Sequence, residues 1–226
     1  MRATGLSIII PTLNEASGIT ETLRPLQSLR QHGHEIILAD GGSEDATVTL
    51  AEPWVDKIIH SGRGRALQMN AGALAAENEA LLFLHADTQL PVDADTLVLK
   101  ALQQWHWGRF DVRLSGTHPL LRMIEWLMNW RSRISGIATG DQTIFVRRES
   151  FQNAGGFPNI SLMEDIALSR TLKKIGPPCC LRAHVVTSSR RWEQRGLTRT
   201  ILLMWWLRLA YALGADPARL AKRYYS

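Results

Sequence analysis

The stretch LSIIIPTLNE, residues 6–15, decides the fold class of this 226-residue chain. Its apolar part is short, rich in β-branched residues and ended by Pro11, which predicts a buried strand over Leu6–Pro11. The polar residues TLNE follow where this strand ends. In an open α/β sheet the carboxyl ends of the strands face the ligand crevice, so we expect these polar side chains at a binding site.

The same alternation of strand and helix continues along the chain. Strands are predicted over Glu35–Ala39, Lys57–His60 and Ala80–His85, and a helix over residues 65–77. Short connections between alternating elements predict an α/β fold with a mostly parallel central sheet flanked by helices, of the doubly wound type.

Two helix predictions near the N-terminus depend on single residues. Residues 15–31 have a helical period, but Pro25 lies inside this segment and is expected to kink it. A second helix is predicted to begin near Glu44, with Ser43 as its N-cap.

Beyond residue 87 the pattern is less regular, and we expect mixed strand directions there. The helices predicted in this part cover residues 94–104, 118–133, 165–175 and 196–213, and the strands cover 109–115 and 181–188. No internal repeat and no Pro/Gly-rich linker divides the chain, so a single domain is expected.

Positive charge is concentrated near the C-terminus. Residues 181–226 contain nine Lys and Arg residues against two acidic ones, whereas residues 1–180 contain 17 against 19. Such a segment suits nucleic acid, anionic lipid or a diphosphate, and charge alone does not choose among them.

The cysteines and the apolar runs indicate a cytoplasmic protein. Cys179 and Cys180 are adjacent and have no metal-ligand spacing, so we expect reduced thiols. The N-terminal apolar run is too short for a signal peptide, and the stretch Ile201–Gly214 is shorter than the roughly 20 residues of a membrane-spanning helix.

Three apolar or glycine-flanked segments end on or near a carboxylate. Asp40 and Asp87 follow predicted strands, and Asp165 opens a predicted helix after a glycine turn. Acids at the carboxyl edge of a sheet are available for metal, ribose or proton chemistry.

The motifs SIIIPTLNEA, ADGGSEDAT, GRGRALQMNAGA, LLFLHADTQLP, GGFP and EDIALSRTLKKIG, in this order, resemble the family 2 glycosyltransferases over most of residues 6–176. The resemblance implies a Rossmann-like GT-A fold, a nucleotide-diphospho-sugar donor, with UDP as the expected carrier, and transfer with inversion at the anomeric carbon. It divides the single domain 1–226 into a nucleotide-sugar half (1–115), an acceptor and catalytic half (116–195) and amphipathic basic helices (196–226).

For the end of the first strand, the resemblance implies that Pro11, Thr12 and Glu15 contact the nucleotide. The alternative is that Thr12 or Asn14 caps a helix whose first turn contains Glu15. At the second strand, the resemblance implies that Asp40 accepts a hydrogen bond from the base.

The residues after the second and third strands suit the base and the diphosphate. Gly41 lacks a Cβ, so the backbone there can approach a flat ring closely. The loop containing Arg63 and Arg65, with Asn70 in the helix that follows, suits a diphosphate. The alternative for this loop is a solvated basic turn.

His85-Ala86-Asp87 occupies the position of the Asp-x-Asp type motif of the family. The resemblance implies that Asp87 holds a divalent cation, Mn²⁺ or Mg²⁺, with the diphosphate, and that Ala86 lies against the donor. His85 replaces the first acid. It is either a second metal ligand or a hydrogen-bonded neighbour, and the residues leave both alternatives open.

Glu164 and Asp165 open a helix, where the helix dipole favours ionised carboxylates. The resemblance implies that Asp165 is the base that takes the proton of the acceptor hydroxyl, while Glu164 orients Asp165 or binds the acceptor. The alternative is that both acids only complement the helix N-terminus.

A later segment, SSRRW, is similar to the Gln-x-x-Arg-Trp element of processive family members, except that Ser188 replaces the glutamine. We expect Arg191 to bind the leaving diphosphate and Trp192 to line the acceptor path. A basic surface strand end is the alternative.

Two amphipathic segments, His118–Arg133 and Thr198–Tyr211, combine Leu, Met and Trp with Arg. Such helices lie on the inner face of an anionic membrane as a peripheral contact, pack against each other, or form a homodimer interface, and the pattern leaves these alternatives open. A lipid-linked or hydrophobic acceptor fits the first.

The leading hypothesis is an inverting glycosyltransferase acting on an acceptor hydroxyl. A nucleotidyltransferase of similar fold lacks the expected lysine-bearing phosphate loop, and a non-catalytic binding protein has no need of a base at Asp165. Nucleic acid is not expected as a partner, because acids converging on the crevice repel phosphate when no metal is bound.

Overall fold

Within residues 5–190, 193 and 196–225, which the computed structural model describes, one eight-stranded sheet forms the centre. The strands are β1 (Leu6–Thr12), β2 (Glu35–Asp40), β3 (Lys57–His60), β4 (Ala80–Phe83), β5 (Thr88–Gln89), β6 (Trp107–Leu114), β7 (Ile144–Arg147) and β8 (Cys179–Thr187). Their order across the sheet is β3-β2-β1-β4-β7-β6-β8-β5.

The first four strands in this order, β3, β2, β1 and β4, run parallel. Successive side chains of a strand point to opposite faces of the sheet, and β1 shows why its sequence is apolar throughout. Ile8 and Ile10 pack into the core on one face, while Ile9 packs into the core on the other. The predicted fold class is confirmed, and Thr12 and Asp40 end neighbouring strands in register.

The other half of the sheet is mixed, as expected for the chain beyond residue 87. β7 is antiparallel to both β4 and β6, β8 is parallel to β6, and β5 is antiparallel to β8. β7 belongs to the expected acceptor half but lies between two strands of the nucleotide-sugar half. The two halves therefore share one sheet.

Helices cover both faces of the sheet. They are α1 (Ile19–Leu23), α2 (Gln27–Gln31), α3 (Thr47–Ala51), α4 (Arg65–Ala75), α5 (Ala94–Gln104), α6 (Pro119–Ser135), α7 (Arg148–Asn153), α8 (Glu164–Ile175), α9 (Leu197–Ala212) and α10 (Pro217–Tyr225). Single 3₁₀ turns occupy Glu52–Trp54 and Gly140–Gln142.

The two helix predictions near the N-terminus need correction. Pro25 separates α1 from α2 instead of kinking one helix, because proline cannot donate the hydrogen bond of a helix interior. The predicted cap at Ser43 is wrong: α3 begins at Thr47, and the Ser43 hydroxyl donates to Asp40 instead.

The helices α6 and α9 pack against the body of the protein through part of their surface. Ile201 of α9 packs with Ile124 and Met128 of α6 beside β6, and Leu207 packs with residues of α8 and α10. In the described part of the chain, no helix is long and apolar enough to cross a membrane.

Candidate functional site

The end of β1 lies at the carboxyl edge of the sheet, as predicted. Pro11 and Thr12 are buried, and the Thr12 carbonyl accepts hydrogen bonds from Gly41 N at 2.9 Å and from Gln68 Nε2 at 2.5 Å. The Thr12 hydroxyl is buried and has no hydrogen-bond partner in the part of the chain that the structure describes. The hydrogen-bonding capacity of this hydroxyl is therefore not used by the described residues.

The capping alternative for this segment is wrong. The first helix after β1 begins only at Ile19, with Gly18 as N-cap. Asn14 has a positive φ of 56°, and its side chain accepts a hydrogen bond from Glu44 N instead. This backbone conformation is uncommon outside glycine, and it turns the chain sharply between the end of β1 and Glu15.

Asp40 ends β2 and is 2% exposed. Its carboxylate accepts hydrogen bonds from Gly42 N and Ser43 N, both at 3.0 Å, and from the Ser43 hydroxyl. Burial opposes ionisation, but the hydrogen bonds from Ser43 and Gly42 hold the pKa of Asp40 below its ordinary value. Asp40 is therefore a fixed, ionised acceptor at the strand end.

Gly41 has a packing reason to lack a side chain. A Cβ at this position would lie 2.9 Å from side-chain atoms of Gln68, which bridges the ends of β1 and β2 through the carbonyls of Thr12 and Ala39. Gln68 was missed in the sequence, because a glutamine inside a helix usually faces solvent.

Glu15 and Asp87 line one cavity of about 270 Å³, together with the exposed Arg190. Burial, and next the charge of Asp87, raise the pKa of Glu15. Arg190 and Arg65 act in the opposite direction. The charge of Asp87 disfavours the ionisation of Glu15 in this cavity, and a bound cation would relieve that repulsion.

His85 lines a second, smaller cavity, together with Arg65, Gly140, Glu164 and Asp165. Its Nδ1 lies 3.6 Å from Asp141 Oδ1, and its ring contacts Gly140 so closely that a Cβ there would lie 2.4 Å from Nε2. The structure therefore directs His85 toward Asp141 and away from the cavity of Asp87.

Ala86 is buried, and its carbonyl accepts a hydrogen bond from the Thr22 hydroxyl at 2.5 Å. It lines the same cavity as Asp87. The contact of Ala86 with a donor remains a prediction.

The two arginines of the basic loop have different surroundings. Arg63 is exposed, whereas Arg65 is partly buried at the start of α4 and lines the second cavity. The charge of Arg65 opposes the rise in the pKa values of both Glu15 and Glu164, so this guanidinium is near both groups of acids. Arg65 is thus the better placed of the two arginines for a diphosphate.

Asn70 has a structural role that the sequence did not indicate. Its side-chain amide donates to the Phe157 carbonyl at 2.8 Å, and its side-chain oxygen accepts from Phe157 N at 2.9 Å. Both polar groups are used to join α4 to the turn at Gly155 and Gly156, where φ is positive. We therefore remove Asn70 from the candidate diphosphate residues.

Asp165 lies at the start of α8 and is held by two backbone donors. Its Oδ2 accepts from Gly140 N at 2.8 Å, and its Oδ1 accepts from Ile166 N at 2.7 Å. The preceding Met163 has a left-handed backbone, with φ of 71°, which starts the helix sharply at Glu164. Burial, and next the charge of Asp165, raise the pKa of Glu164.

Asp141 is a further acid at this site, from the 3₁₀ turn that precedes β7. Although burial raises its pKa, the neighbouring His85, with Arg65 and Arg208 at longer range, lowers it to about 2. From its position just before the strand-like residues Thr143–Arg147, the sequence predicts that this turn faces the donor sugar or the acceptor. The distance to His85 now identifies Asp141 as an ionised neighbour of the Asp165 cavity.

Three arginines at the site were missed as site residues. Arg131 of α6 and Arg208 of α9 have Asp165 and Asp141 among their charged neighbours. Arg190 lines the cavity of Glu15 and Asp87. Arg191 and Trp192, which were predicted to contact the diphosphate and the acceptor, lie outside the described residues.

Comparison with known protein families identifies the family to which this chain belongs. The family model described as glycosyl transferase family 2 matches residues 7–153, which is more than half of the chain. The chain belongs to glycosyltransferase family 2. The predicted resemblance is confirmed, and the matched segment of this family 2 glycosyltransferase contains Asp40, Asp87 and Asp141.

Two curated relatives match parts of this family 2 glycosyltransferase. The undecaprenyl-phosphate 4-deoxy-4-formamido-L-arabinose transferase of Pseudomonas fluorescens is 32% identical over 97 residues, covering 38% of this chain and 28% of the relative. The PGL/p-HBAD biosynthesis glycosyltransferase of Mycobacterium bovis is 38% identical over 104 residues, covering 43% and 40%. The chain thus spans less than half the length of these relatives.

Solved structures share the fold. Staphylococcus aureus TarS 1-349 aligns with a TM-score of 0.64 at 18% identity, covering 82% of this chain and 60% of TarS. The mannosyltransferase PcManGT of Pyrobaculum calidifontis, in complex with GDP-Man and Mn²⁺, aligns with a TM-score of 0.63 at 19% identity, covering 82% and 57%. The predicted GT-A fold of the family 2 glycosyltransferase is confirmed.

The site offers a divalent cation two candidate protein ligands, Glu15 and Asp87. Among the described residues, no group of three or more His, Cys, Asp or Glu side chains is arranged to hold a metal ion. Mg²⁺ and Mn²⁺ commonly bind one or two carboxylates together with substrate phosphates, so Glu15 and Asp87 fit a cation that binds with a diphosphate. His85 lines the other cavity, and we leave it out of the proposed cation site.

Proposed function

We propose that this protein transfers a sugar, with inversion, from a nucleotide-diphospho-sugar to an acceptor hydroxyl, and that UDP is the carrier. The observation that carries the proposal is the position of Asp165. Two backbone N–H groups hold its carboxylate in a cavity that also contains Arg65 and Glu164. An inverting transfer needs one such base and no covalent intermediate.

On the donor side, Asp40 at the end of β2 accepts a hydrogen bond from the base, and Pro11, Thr12 and Gly41 lie beside the nucleotide. Asp87, with Glu15, would hold the cation, and the bound cation would neutralise the charge that develops on the leaving diphosphate. Arg65 stabilises the same charge, because it lines the second cavity and its charge acts on the acids of both cavities.

On the acceptor side, the Asp165 carboxylate takes the hydroxyl proton while the acceptor oxygen attacks the anomeric carbon. Glu164 is 6% exposed and its pKa is raised, so near neutral pH it holds a proton more readily than an ordinary glutamate. A protonated Glu164 can donate a hydrogen bond to the acceptor, whereas Asp165 accepts one. The two adjacent acids then have different roles.

The proposal is tested by screening UDP, GDP and their sugar conjugates in thermal-shift and calorimetric assays, with and without Mn²⁺. We expect a UDP-sugar at about 100 times its Kd to raise Tm by about 5 to 10 °C, and only with Mn²⁺. Absence of binding by every nucleotide sugar would contradict the proposal. Binding without transfer to any acceptor would favour a non-catalytic role.

We also propose that the protein contacts an anionic membrane through α6 and α9. Trp126 is 60% exposed and stacks on Trp130, and Trp205 of α9 is 61% exposed. The neighbouring α10 adds basic side chains, among them Arg223 over the ring of Trp206. Exposed tryptophans beside cations suit a lipid headgroup region, and such a surface brings the active site to a lipid-linked acceptor.

Vesicle co-sedimentation tests this surface. Replacement of both Trp126 and Trp130 by serine is expected to weaken binding to phosphatidylglycerol vesicles by about tenfold or more for each tryptophan, since that much apolar surface stays in water. Trp105→Ser, at the end of α5, is the matched control and should leave binding unchanged. A dimer that dissociates in the double variant, with unchanged vesicle binding, would assign the face to a homodimer instead.

A further inference from the structure

Two arginines lie on facing helices, and Asp165 is a charged neighbour of both. Arg208 of α9 follows Ile201 by two helical turns, and Ile201 packs with the α6 residues Ile124 and Met128. Residues seven apart share one helix face, so Arg208 points toward α6, where Arg131 lies. Each guanidinium contributes to the electrostatic surroundings of the site, and Arg208 lowers the pKa of Arg131.

Three donor atoms of these arginines have no partner. Arg131 Nε and Nη2 and Arg208 Nε are buried and have no hydrogen-bond partner in the described part of the chain. Burial lowers the pKa of both side chains, for Arg131 to about 10. Two like charges held together out of water, with N–H groups left over, destabilise a protein that has no ligand there.

Other arginines nearby show what a structural arginine looks like in this fold. Arg133, two residues further along α6, pairs with Asp111 and also donates to the Cys180 carbonyl. Arg148 donates to the carbonyls of Ala76 and Asn78 at the end of α4. Arg131 and Arg208 differ from both because the fold supplies no such partners for the donors named above. Arg109 also has a buried Nε without a partner, but its Nη1 pairs with Asp111 and its Nη2 donates to the Asn129 carbonyl.

The position of the pair indicates which substrate it serves. The acids whose charges act on both Arg131 and Arg208 are Asp165, which lines the second cavity, and Asp141. We propose that Arg131 and Arg208 form an anion subsite for the acceptor, and that the acceptor carries a phosphate monoester near the atom that is glycosylated. This inference rests on the proposed function, because it takes Asp165 as the acceptor base.

Phosphate fits this subsite better than a neutral group. Guanidinium groups present planar forks of N–H donors that match the oxygens of a phosphate, and hydrogen bonds between charged groups are the stronger class. The exposed tryptophans of α6 and α9 lie on the outer side of the same two helices. A phosphate can thus reach the pair either on a soluble molecule or on a lipid, and the two sources share the chemistry recognised here.

The test measures the affinity of the full chain for inorganic phosphate, glycerol 3-phosphate and decyl phosphate by calorimetry, in the wild type and in Arg131→Gln and Arg208→Gln. Each substitution is expected to lower all three affinities at least tenfold. Arg199→Gln, an exposed arginine on the same helix as Arg208, is the matched control and should change them less than twofold. If both variants still bind decyl phosphate more tightly than the other two compounds, residues other than Arg131 and Arg208 recognise the alkyl chain, while the arginines recognise the phosphate.

A second readout separates binding from structure. Without phosphate, Arg131→Gln and Arg208→Gln are expected to raise Tm by a few degrees, because each removes a buried charge that lacks its partners. A lower Tm with unchanged phosphate affinity would overturn the proposal and make the pair structural.

Mn²⁺-dependent UDP binding, measured in the same variants, distinguishes this inference from the proposed function. Unchanged UDP affinity with lost phosphate affinity supports an acceptor subsite. Lost UDP affinity with retained phosphate affinity would overturn the acceptor assignment in favour of the donor diphosphate. If UDP binds to none of the proteins, the wild type included, the proposed donor fails while the phosphate measurements still decide whether the anion subsite exists.

Discussion

Replacement of Asp165 by asparagine is expected to lower the rate of sugar transfer by about 10²- to 10⁴-fold, while donor affinity changes less than about twofold. The amide keeps the size of the side chain but cannot take a proton from the acceptor. One of the two backbone donors, Gly140 N or Ile166 N, keeps an acceptor in the variant, since asparagine has a single side-chain oxygen. The start of α8 therefore stays formed.

The experiment compares transfer rate, UDP affinity and Tm for Asp165→Asn and for Asp93→Asn. Asp93 is an exposed acid at the N-cap of α5 whose side chain makes no capping hydrogen bond, so its amide should have wild-type activity. Full activity of Asp165→Asn would exclude Asp165 as the base. A loss of UDP affinity as large as the loss of rate would show that the substitution disturbs the whole site.

Replacement of Asp87 by alanine is expected to abolish the effect of Mn²⁺ on UDP binding and to lower UDP affinity in the presence of Mn²⁺ by about 100-fold. Glu15 alone then remains to hold the cation. Because Asp87 raises the pKa of Glu15, its removal is also expected to lower that pKa toward the ordinary glutamate value. NMR titration of the Glu15 carboxyl can follow this change.

The control for Asp87→Ala is Glu21→Ala, which removes an exposed acid from the wall of the same cavity. If negative charge in the cavity were all that mattered, both variants would lose the Mn²⁺ effect to similar extents. We expect less than a threefold change for Glu21→Ala. Retention of the full Mn²⁺ effect by Asp87→Ala would remove Asp87 from the cation site.

Local patterns in the sequence were sufficient to predict most of the strands and the positions of Asp40, Asp87 and Asp165 at the ends of secondary-structure elements. The apolar run of β1 predicts a strand buried on both faces, and a strand that ends before Asp40 or close to Asp87 delivers the acid to the carboxyl edge. Asp165 was reachable because a glycine turn and a helix start mark its position. These inferences need only residues close to each other along the chain.

The missed residues depend on contacts that no local pattern contains. Asn70 pairs with Phe157, 87 residues away, and nothing beside Asn70 separates this structural pair from a phosphate ligand. In the sequence, Arg131 and Arg208 look like the solvent-facing residues of amphipathic helices. Only the packing of α9 against α6 shows that they face each other. For His85, the deciding neighbour is Asp141, which approaches it only in three dimensions.

The position of β7 between two strands that precede it in the sequence also affects folding during synthesis. β7 fills the place between β4 and β6, so a ribosome exposes both of these strands before their shared neighbour has been synthesised. Until then each presents an unpaired edge, which is the usual starting point of aggregation in a nascent chain. We therefore expect the soluble yield to depend on how quickly the second half of the chain arrives, although most of the family motifs lie in the first half.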